Sequence, residues 1–283
     1  MTIAVLLTTF NRRQKTLACL ESLKKQTIRG SAKLEVFLTD DNSADGTAEA
    51  VLRYFPGTHV YKGTGFLYWA GGMRQTWEKA REINPDFYLL LNDDTVLDNE
   101  AIETLLETSF TPAGKNRVPA ISIGSTRDTH SGTLSYGGWQ LQSRKRWKSS
   151  RVHSDTAVMD CDFGNANIML VPWQVVSKIG ILAPQFTHSL ADYDYGLRAK
   201  KAGFAVKVAP GFLGSCVDDH GHNWKPQSVP LKERIRYMKS PKGLAYSEYL
   251  HFIREHFPLS YPSAFCKLWM KTFFPFIWER FKK

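Results

Sequence analysis

The chain has 283 residues, 43% of them hydrophobic, and a formal net charge of +10. This composition excludes an intrinsically disordered chain, and the length suits one large α/β domain with a small appendage. Its four cysteines (Cys19, Cys161, Cys216 and Cys266) lie far apart and form no CxxC pair, which excludes a zinc ribbon, gives no sign of a disulfide framework and favours a reducing compartment.

The first hundred residues alternate patterns typical of strands with patterns typical of helices. We interpret the apolar run at residues 3–7 as a first strand rather than a signal peptide, because no basic leader or cleavage site accompanies it. Further strands are expected at residues 34–39, 59–62 and 87–91, and helices at residues 17–26, 45–54 and 72–83. This alternation predicts parallel β-α-β units with helices on both faces of the sheet.

The middle of the chain has a different pattern. Residues 119–171 are rich in Ser, Thr and Gly, which favours antiparallel strands and a mobile loop, and the basic segment 143–151 is the best candidate for that loop. A helix over residues 192–202 and a strand over residues 205–208 follow. Residues 226–230, bounded by two prolines, are expected to link this part to a mostly helical tail.

The tail is basic and aromatic. Residues 231–283 contain 11 Lys/Arg against 4 Asp/Glu, a surplus of 7 positive charges. Bulky residues alternate with basic ones from Phe265 onwards, which suits an interfacial helix on anionic lipid. The alternative is that these aromatic side chains pack on the preceding domain. No stretch reaches the roughly 20 consecutive apolar residues that a membrane-spanning helix needs.

Polar clusters follow three of the predicted strands, at the point where each strand ends. They are TTFNR at residues 8–12, DDNS at residues 40–43 and NDDT at residues 92–95. In doubly wound sheets, ligands bind outside the carboxyl ends of the strands. We therefore expect the three clusters to converge on one site.

The adjacent carboxylates Asp93 and Asp94 repel each other unless a positive charge lies beside them. Mg²⁺ or Mn²⁺, which prefer oxygen ligands and often bridge to a diphosphate, would supply that charge. Asp40 ends the second strand and would accept hydrogen bonds from a nucleobase or a ribose. The alternative for both clusters is a polar turn that caps the following helix, through Ser43 or Asp45 in the second cluster.

Five segments, taken in chain order, resemble a family-2 glycosyltransferase, in particular the bacterial branch that contains rhamnosyltransferases. These segments are TTFNR, DDNSADGT, LLLNDDT, GNANIMLVP and ADYDYGLRAKKAGF. The resemblance covers roughly residues 1–210. It implies an α/β, GT-A type fold: a nucleotide-binding, mostly parallel sheet flanked by helices, a small antiparallel acceptor-side sheet and a helical C-terminal tail. We expect a catalytic domain at residues 1–225, with nucleotide-binding and acceptor-binding halves at 1–100 and 101–225, and the tail at 226–283.

The activity that the resemblance implies is an inverting transfer from a UDP- or dTDP-sugar, with dTDP-rhamnose as the first guess. The acceptor would be a hydroxyl of a glycan or lipid-linked glycan in cell-surface polysaccharide synthesis. We expect the enzyme in the cytoplasm, peripheral on the inner face of the cytoplasmic membrane through its tail, with no nucleic-acid partner.

The resemblance also implies roles for residues of the donor site. Residues of the first two clusters would hold the nucleobase of the donor. Residues of the third cluster would hold the ribose and a divalent metal, Mn²⁺ or Mg²⁺. The base-holding residues are Thr8, Phe10, Arg12 and Asp40, with Asp93 on the ribose and Asp94 as the direct metal ligand. Asn92 stands where the family motif begins with Asp, which leaves a degenerate, non-catalytic relative as an alternative. His220, in a polar segment that is equally consistent with a solvated loop, is a candidate further metal ligand.

Asp192 matches the position of the family's catalytic base. An acceptor hydroxyl must lose its proton as it attacks the anomeric carbon, and a carboxylate does this. Asp194 is the competitor, assigned to the acceptor pocket, but positions two apart do not share a helix face. The alternative is that Asp192 is a helix N-cap and Asp194 a partner of the helix dipole.

The glycine- and aromatic-rich loop at residues 63–72 opens a helix, which suits a phosphate. Arg74, in the first turn of that helix, is expected to meet the donor. Trp69 and, by resemblance, Asn165 are assigned to the acceptor or sugar pocket, although a glycine-rich loop with core aromatic residues is the alternative.

Other classes fit less well. A nicotinamide enzyme would need glycines after the first strand, and TTFNRR has none. A sugar nucleotidyltransferase would open with a glycine-rich basic loop there, and this enzyme class is the first alternative. A basic nucleic-acid-binding protein is the second, although its acidic clusters would repel phosphate.

Overall fold

The computed structural model describes residues 1–111, 119–219 and 223–281, without the side chain of Phe281. Its first part alternates strands and helices as expected. They are β1 (Thr2–Thr9), α1 (Arg13–Lys24), β2 (Lys33–Asp40), α2 (Thr47–Tyr54), β3 (His59–Lys62), α3 (Tyr68–Arg81), β4 (Phe87–Leu91), β5 (Val96–Leu97) and α4 (Ala101–Phe110). Helix α3 begins four residues earlier than its predicted start, and α4 is the helix that only the alternative interpretation of residues 92–95 implied.

Strands β1 to β4 form one parallel part of the central sheet. β1 pairs with β2 on one side and β4 on the other, and β2 pairs with β3, all in parallel. The apolar runs of β1 and β4 are buried along their length because helices cover both faces of the sheet. Parallel pairing brings the carboxyl ends of these strands to one edge, where the three polar clusters lie.

The second part extends the same sheet and adds a smaller one. Its elements are β6 (Ile121–Arg127), β7 (Leu134–Tyr136), β8 (Gly138–Leu141), β9 (Ser149–Val152), β10 (Met159–Asp160), β11 (Phe163–Gly164), β12 (Ile168–Pro172), α5 (Trp173–Ile179), α6 (Ala191–Lys201) and β13 (Val206–Ser215). The main order is β10-β13-β6-β12-β4-β1-β2-β3, and β11-β8-β9 form a separate antiparallel sheet. β6 and β13 form another parallel part, whereas β12 runs antiparallel to β4 and β6, so the central sheet is mixed.

Two predicted boundaries in this part need correction. The loop predicted at residues 143–151 is shorter, because Ser149–Val152 pairs with β8 as strand β9. The strand predicted at residues 205–208 continues to Ser215, because the chain stays paired with β6 through two register shifts. The predicted fold class is confirmed: a central α/β sheet, a small antiparallel sheet and C-terminal helices.

The tail consists of α7 (Leu231–Lys239), α8 (Tyr246–His256), a 3₁₀ turn at Pro258–Ser260, α9 (Tyr261–Phe273) and α10 (Phe276–Phe281). Buried residues of α8, including Phe252, share one hydrophobic cluster with Trp77 of α3 and Tyr195 of α6. Within residues 1–111, 119–219 and 223–281, every helix is too short or too polar to span a bilayer.

Candidate active site

The loops that follow β1 and β2 are joined by reciprocal hydrogen bonds. The backbone N–H of Asn11 donates to Oγ of Ser43 over 2.9 Å, and the N–H of Ala44 donates to Oδ1 of Asn11 over 2.8 Å. Asn11 and Asn42 both have positive φ, of 52° and 61°. Asn is one of the few residue types that adopts this conformation readily, so both turns suit their sequence.

Asp41 organises the loop in front of α3. Its Oδ1 accepts the N–H of Gly65 over 2.7 Å, and its Oδ2 accepts the N–H groups of Leu67 and Tyr68 over 2.9 and 3.2 Å. A side chain at Gly63 would bring its Cβ within 2.8 Å of the Asp41 backbone. The sequence analysis gives Asp41 no role apart from its cluster at residues 40–43, and the glycine-rich loop 24 to 27 residues later is the sequence feature that its contacts explain.

The residues predicted to hold the base lie at different depths. Thr8 is 7% exposed and packs against α3, and Asp40 is 4% exposed with Oδ1 accepting the N–H of Ser43 over 2.9 Å. Phe10, at 43% exposed, and Arg12, whose side chain is 44% exposed, stand at the open edge. Of these four residues, Phe10 and Arg12 are therefore the ones accessible to a ligand.

A basic pair faces the acidic segment after β4. One guanidinium nitrogen of Arg12 lies 3.2 Å from Asp93 Oδ1 and 2.8 Å from Asp94 Oδ2, and Lys15 Nζ lies 3.6 Å from the same Asp94 oxygen. Asp93 is 4% exposed, and this burial raises its pKa despite the nearby Arg12 charge. The positive charge expected beside these carboxylates is supplied in this structure by Arg12 and Lys15.

Asn92 has two long-range partners. Its Oδ1 accepts the indole N–H of Trp69 over 2.7 Å, and its backbone N–H donates to the carbonyl of Asn167 over 3.1 Å. The amide at this position therefore links α3 to β4, whereas a carboxylate would bring a further negative charge beside Asp93.

Asp192 lies in the first turn of α6, just after Leu190, whose φ is 68°. Its Oδ2 accepts the N–H of Ala166 over 3.1 Å, and its Oδ1 accepts the N–H of Tyr193 over 2.9 Å. Ala166 is the neighbour of Asn167, which bonds to the acidic segment. Consecutive backbone contacts thus connect Asp192 to the end of β4.

Three of the predicted site residues make structural contacts instead. Arg74 donates from one guanidinium nitrogen to the carbonyls of Ala183 and Phe186, over 3.0 and 2.7 Å. Asn165 is 9% exposed and bonds to the indole N–H of Trp139 and the hydroxyl of Tyr193. The third residue, Asp194, belongs to a buried ionic group.

Asp194 is 3% exposed, and both of its oxygens are engaged. Nε of Arg198 lies 2.7 Å from Oδ2, and Nε2 of His256 lies 2.9 Å from Oδ1. These contacts join α6 to α8 below the surface, so no oxygen of Asp194 faces the predicted acceptor pocket. His220, the candidate metal ligand, lies outside the described residues.

Asp94 is the main candidate ligand for a divalent metal. Within the described part of the chain, no group of three or more His, Cys, Asp or Glu side chains gathers as a complete metal site. Cys216 Sγ lies 3.6 Å from Asp94 Oδ1, and burial followed by the Asp94 charge raises the pKa of this thiol to about 12. Mg²⁺ usually takes one or two carboxylates and completes its shell with water and phosphate, so Asp94 fits a metal shared with a substrate.

The family model described as Glycosyl transferase family 2 matches residues 4–158, more than half of the chain. No curated protein matches it.

Among solved structures, the mannosyltransferase PcManGT from Pyrobaculum calidifontis, in complex with GDP-Man and Mn²⁺, has a TM-score of 0.57 at 14% identity, covering 95% of this chain and 69% of that one. S. aureus TarS 1–349 in complex with UDP-GlcNAc has a TM-score of 0.54 at 13% identity, covering 84% and 65%. For the same protein in complex with UDP the TM-score is 0.53 at 13% identity, covering 76% and 59%. At these identities the likeness establishes the fold alone. By its family match and its GT-A fold, the chain belongs to glycosyl transferase family 2 and is a glycosyltransferase.

Proposed function

We propose that the protein is an inverting glycosyltransferase that moves a sugar from a UDP- or dTDP-sugar to a hydroxyl of a glycan or lipid-linked glycan. The observation that carries this proposal is the connected edge of the sheet. Arg12 pairs with Asp93 and Asp94, and the same segment is joined through residues 166 and 167 to Asp192. This connection supports a site in which a cationic group meets the diphosphate and a carboxylate meets the acceptor.

Asp192 is the proposed base. It removes the proton of the acceptor hydroxyl while the oxygen attacks the anomeric carbon, and the bond from that carbon to the diphosphate breaks on the opposite face. Two backbone N–H donors fix the orientation of the carboxylate. Attack opposite to the leaving group inverts the anomeric configuration.

Arg12 and Lys15 are the proposed partners of the leaving diphosphate. Both side chains are about half exposed, at 44% and 53%, and both already face the acidic segment. Positive groups fixed at the position where charge develops lower the barrier to transfer. A metal ion held by Asp94 would neutralise diphosphate charge at the same place, and the Mn²⁺ in the PcManGT complex supports this proposal.

The identities of the donor's nucleotide and sugar are further parts of this proposal. The similar structures hold GDP-Man, UDP and UDP-GlcNAc, so a guanine nucleotide belongs in any test beside UDP and dTDP. We retain rhamnose from dTDP-rhamnose as the first sugar to test, in cell-surface polysaccharide synthesis.

We also propose that the tail places the enzyme on the cytoplasmic face of the membrane. Helices α9 and α10 and the short connection between them expose large apolar side chains: Phe265, Met270, Phe273, Phe274 and Phe276, each between 41% and 51% exposed. The rings of Trp269 and Phe273 stack at 5.3 Å, and Phe274 continues the row at 6.4 Å. An exposed aromatic row on a basic segment suits an anionic lipid surface.

Thermal-shift titration with UDP, dTDP and GDP, each with and without Mn²⁺ or Mg²⁺, tests the proposed function. A ligand that binds only the folded state raises the melting temperature. We expect stabilisation by UDP or dTDP that grows with metal and disappears in Asp94→Ala. Glu100→Ala, an exposed carboxylate six residues further on, is the matched control. A folded protein that responds to none of the three nucleotides with metal present would contradict the proposal.

A further inference from the structure

A cavity of about 390 Å³ lies between the start of α6 and the tail. Its wall includes Ser189 and Leu190 before α6, Trp147 from the connection between β8 and β9, and Tyr249 and Leu268 from α8 and α9. Small-molecule sites in proteins have volumes of roughly 300–1,000 Å³. The cavity is therefore large enough for one sugar unit with a charged substituent.

The charge of the wall is positive. Lys267 and Lys271 line the cavity from α9, and residues four apart share one face of a helix. Lys271 is 8% exposed, and its Nζ donates to Oδ1 of Asn223 over 2.6 Å. Among the described residues that line the cavity there is no Asp or Glu. A wall of this kind attracts an anion.

Residues in the cavity wall lie close in the chain to the proposed base and to a lysine that approaches the start of α3. Leu190, in its wall, precedes the proposed base Asp192 by two residues. On the other side, Gly243 lines the cavity, and its neighbour Lys242 lies 5.9 Å from the ring centroid of Tyr68. Tyr68 begins α3, the helix whose next residue bonds to Asn92. A ligand in the cavity thus contacts the segment that leads into Asp192.

The aromatic part of the wall is held in place. The Trp147 ring contacts those of Phe252 and Phe257 with centroids 5.1 Å apart, and its backbone N–H donates to Oγ of Ser260 over 2.9 Å. Ligand pockets commonly combine such fixed aromatic surfaces with a few charged groups. An apolar surface beside two lysines suits a sugar ring that carries an anionic ester.

We propose that this cavity binds the phosphate of the acceptor, and that the acceptor is a sugar joined to a phosphate or diphosphate ester. Lys267 and Lys271 bind the phosphate oxygens, and the sugar hydroxyl points towards Asp192. This inference rests on the proposed transfer reaction, whose acceptor class it names. A lipid-linked sugar diphosphate and a soluble sugar phosphate share this chemistry.

Isothermal titration calorimetry tests the inference, with the donor site first saturated by the nucleotide that stabilises the protein most. The probes are farnesyl diphosphate for the lipid source and glucose 1-phosphate for the soluble source, with farnesol and glucose as uncharged controls. We expect at least one phosphate compound to bind and both uncharged controls to fail. Tighter binding of farnesyl diphosphate indicates a lipid-linked acceptor. Tighter binding of glucose 1-phosphate indicates a soluble acceptor.

The lysines supply the matched variants. Lys267→Gln, at an exposed position, should weaken phosphate binding about tenfold, the loss of one charge-assisted hydrogen bond. Lys271→Met should weaken it at least as much, and a melting curve shows whether this buried substitution still folds. Lys232→Gln, an exposed tail lysine outside the cavity, should leave binding unchanged. Phosphate binding that is absent, or unaffected by Lys267→Gln, would overturn the inference.

Nucleotide binding in the same variants separates this inference from the proposed function. Retained nucleotide binding without lysine-dependent phosphate binding would overturn only the acceptor site. Lysine-dependent phosphate binding in a protein that binds no nucleotide would support the cavity as an anion site and contradict the proposed donor.

Discussion

Two carboxylates two positions apart on α6 have different surroundings. Asp192 accepts backbone N–H groups of Ala166 and Tyr193 near the sheet edge, whereas Asp194 is bound by Arg198 and His256 in the interior. A step of two residues turns a helix through more than half a revolution, so the two side chains leave on different faces. Their substitutions should therefore affect different properties.

Substitution Asp192→Asn should lower the rate of sugar transfer by about 10² to 10⁴-fold, the usual contribution of a general base. Nucleotide binding and melting temperature should stay close to those of the wild type, because Asn retains an oxygen for one of the two backbone donors. Asp160→Asn, at an exposed position in β10, is the control. A transfer assay with the donor identified by thermal shift measures the effect, and an active Asp192→Asn enzyme would remove Asp192 from the mechanism.

Asp194 should govern acid stability. Burial alone would raise its pKa, but the hydrogen bond from His256 and the charge of Arg198 outweigh burial and hold the pKa below the ordinary value of 3.8. A carboxyl whose folded pKa is depressed stabilises the fold above its unfolded pKa, and this stability is lost as the pH falls through the folded pKa. The stabilising contribution of Asp194 is thus complete near neutrality and declines below about pH 5.

Urea unfolding from pH 7 down to pH 3 measures this contribution. At pH 7, Asp194→Asn should lower the free energy of unfolding by about 3 kcal/mol, since it removes the counter-charge of Arg198 and disturbs the buried hydrogen bond with His256. The difference from the wild type should shrink as the pH falls, because the wild type loses the contribution that the variant lacks. Parallel pH profiles for the two proteins would show that Asp194 does not stabilise the fold through its charge.

At the scale of elements, the docking of α3 on β1 decides the shape of the candidate site. Oγ1 of Thr76 bonds to the carbonyl of Leu7 over 3.0 Å and to Oγ1 of Thr39 over 2.7 Å, so the helix lies directly on two strands. A Cβ at Gly72 would stand 2.0 Å from Oγ1 of Thr8, which is itself buried. This close approach requires glycine in the second turn of α3.

Substitution Gly72→Ala should destabilise the protein by about 1–3 kcal/mol, because an added methyl group overpacks the contact with Thr8. This cost exceeds the gain of up to about 1 kcal/mol that alanine brings to a helix interior. Gly57→Ala, where a Cβ meets nothing within 4 Å, is the control and should be close to neutral. Urea unfolding measures both variants, and equal stabilities would show that α3 moves away from β1 without loss.

At the scale of the whole molecule, the tail has two surfaces with different partners. α8 and the buried side of α9, including Phe252 and Leu268, belong to the same hydrophobic cluster as the sheet. Phe273 and Phe276 remain 44% and 47% exposed. The alternative in which the tail packs on the preceding domain therefore describes one surface, and the membrane proposal concerns the other.

Co-sedimentation with vesicles of phosphatidylglycerol and phosphatidylcholine tests that exposed surface. We expect binding that is weaker on pure phosphatidylcholine and weaker at high salt, since ions screen the attraction of lysines to anionic lipid. The double substitution Phe273→Ser with Phe276→Ser should reduce the bound fraction several-fold, because less apolar area enters the lipid. Leu52→Ser, 51% exposed on α2, should bind like the wild type. Equal binding by all three proteins would contradict a membrane role for this row.

The sequence by itself determined the four parallel strands β1 to β4, the convergence of the polar clusters and the family. Buried parallel strands need unbroken apolar runs, and these are visible locally, as in residues 3–7 and 87–91. The tertiary structure decided which partners the side chains have. Arg74 reaches carbonyls 109 and 112 residues away, and Asp194 meets a histidine 62 residues away. Such pairings, like the cavity between α6 and α9, arise only when distant segments pack, and no local spacing encodes them.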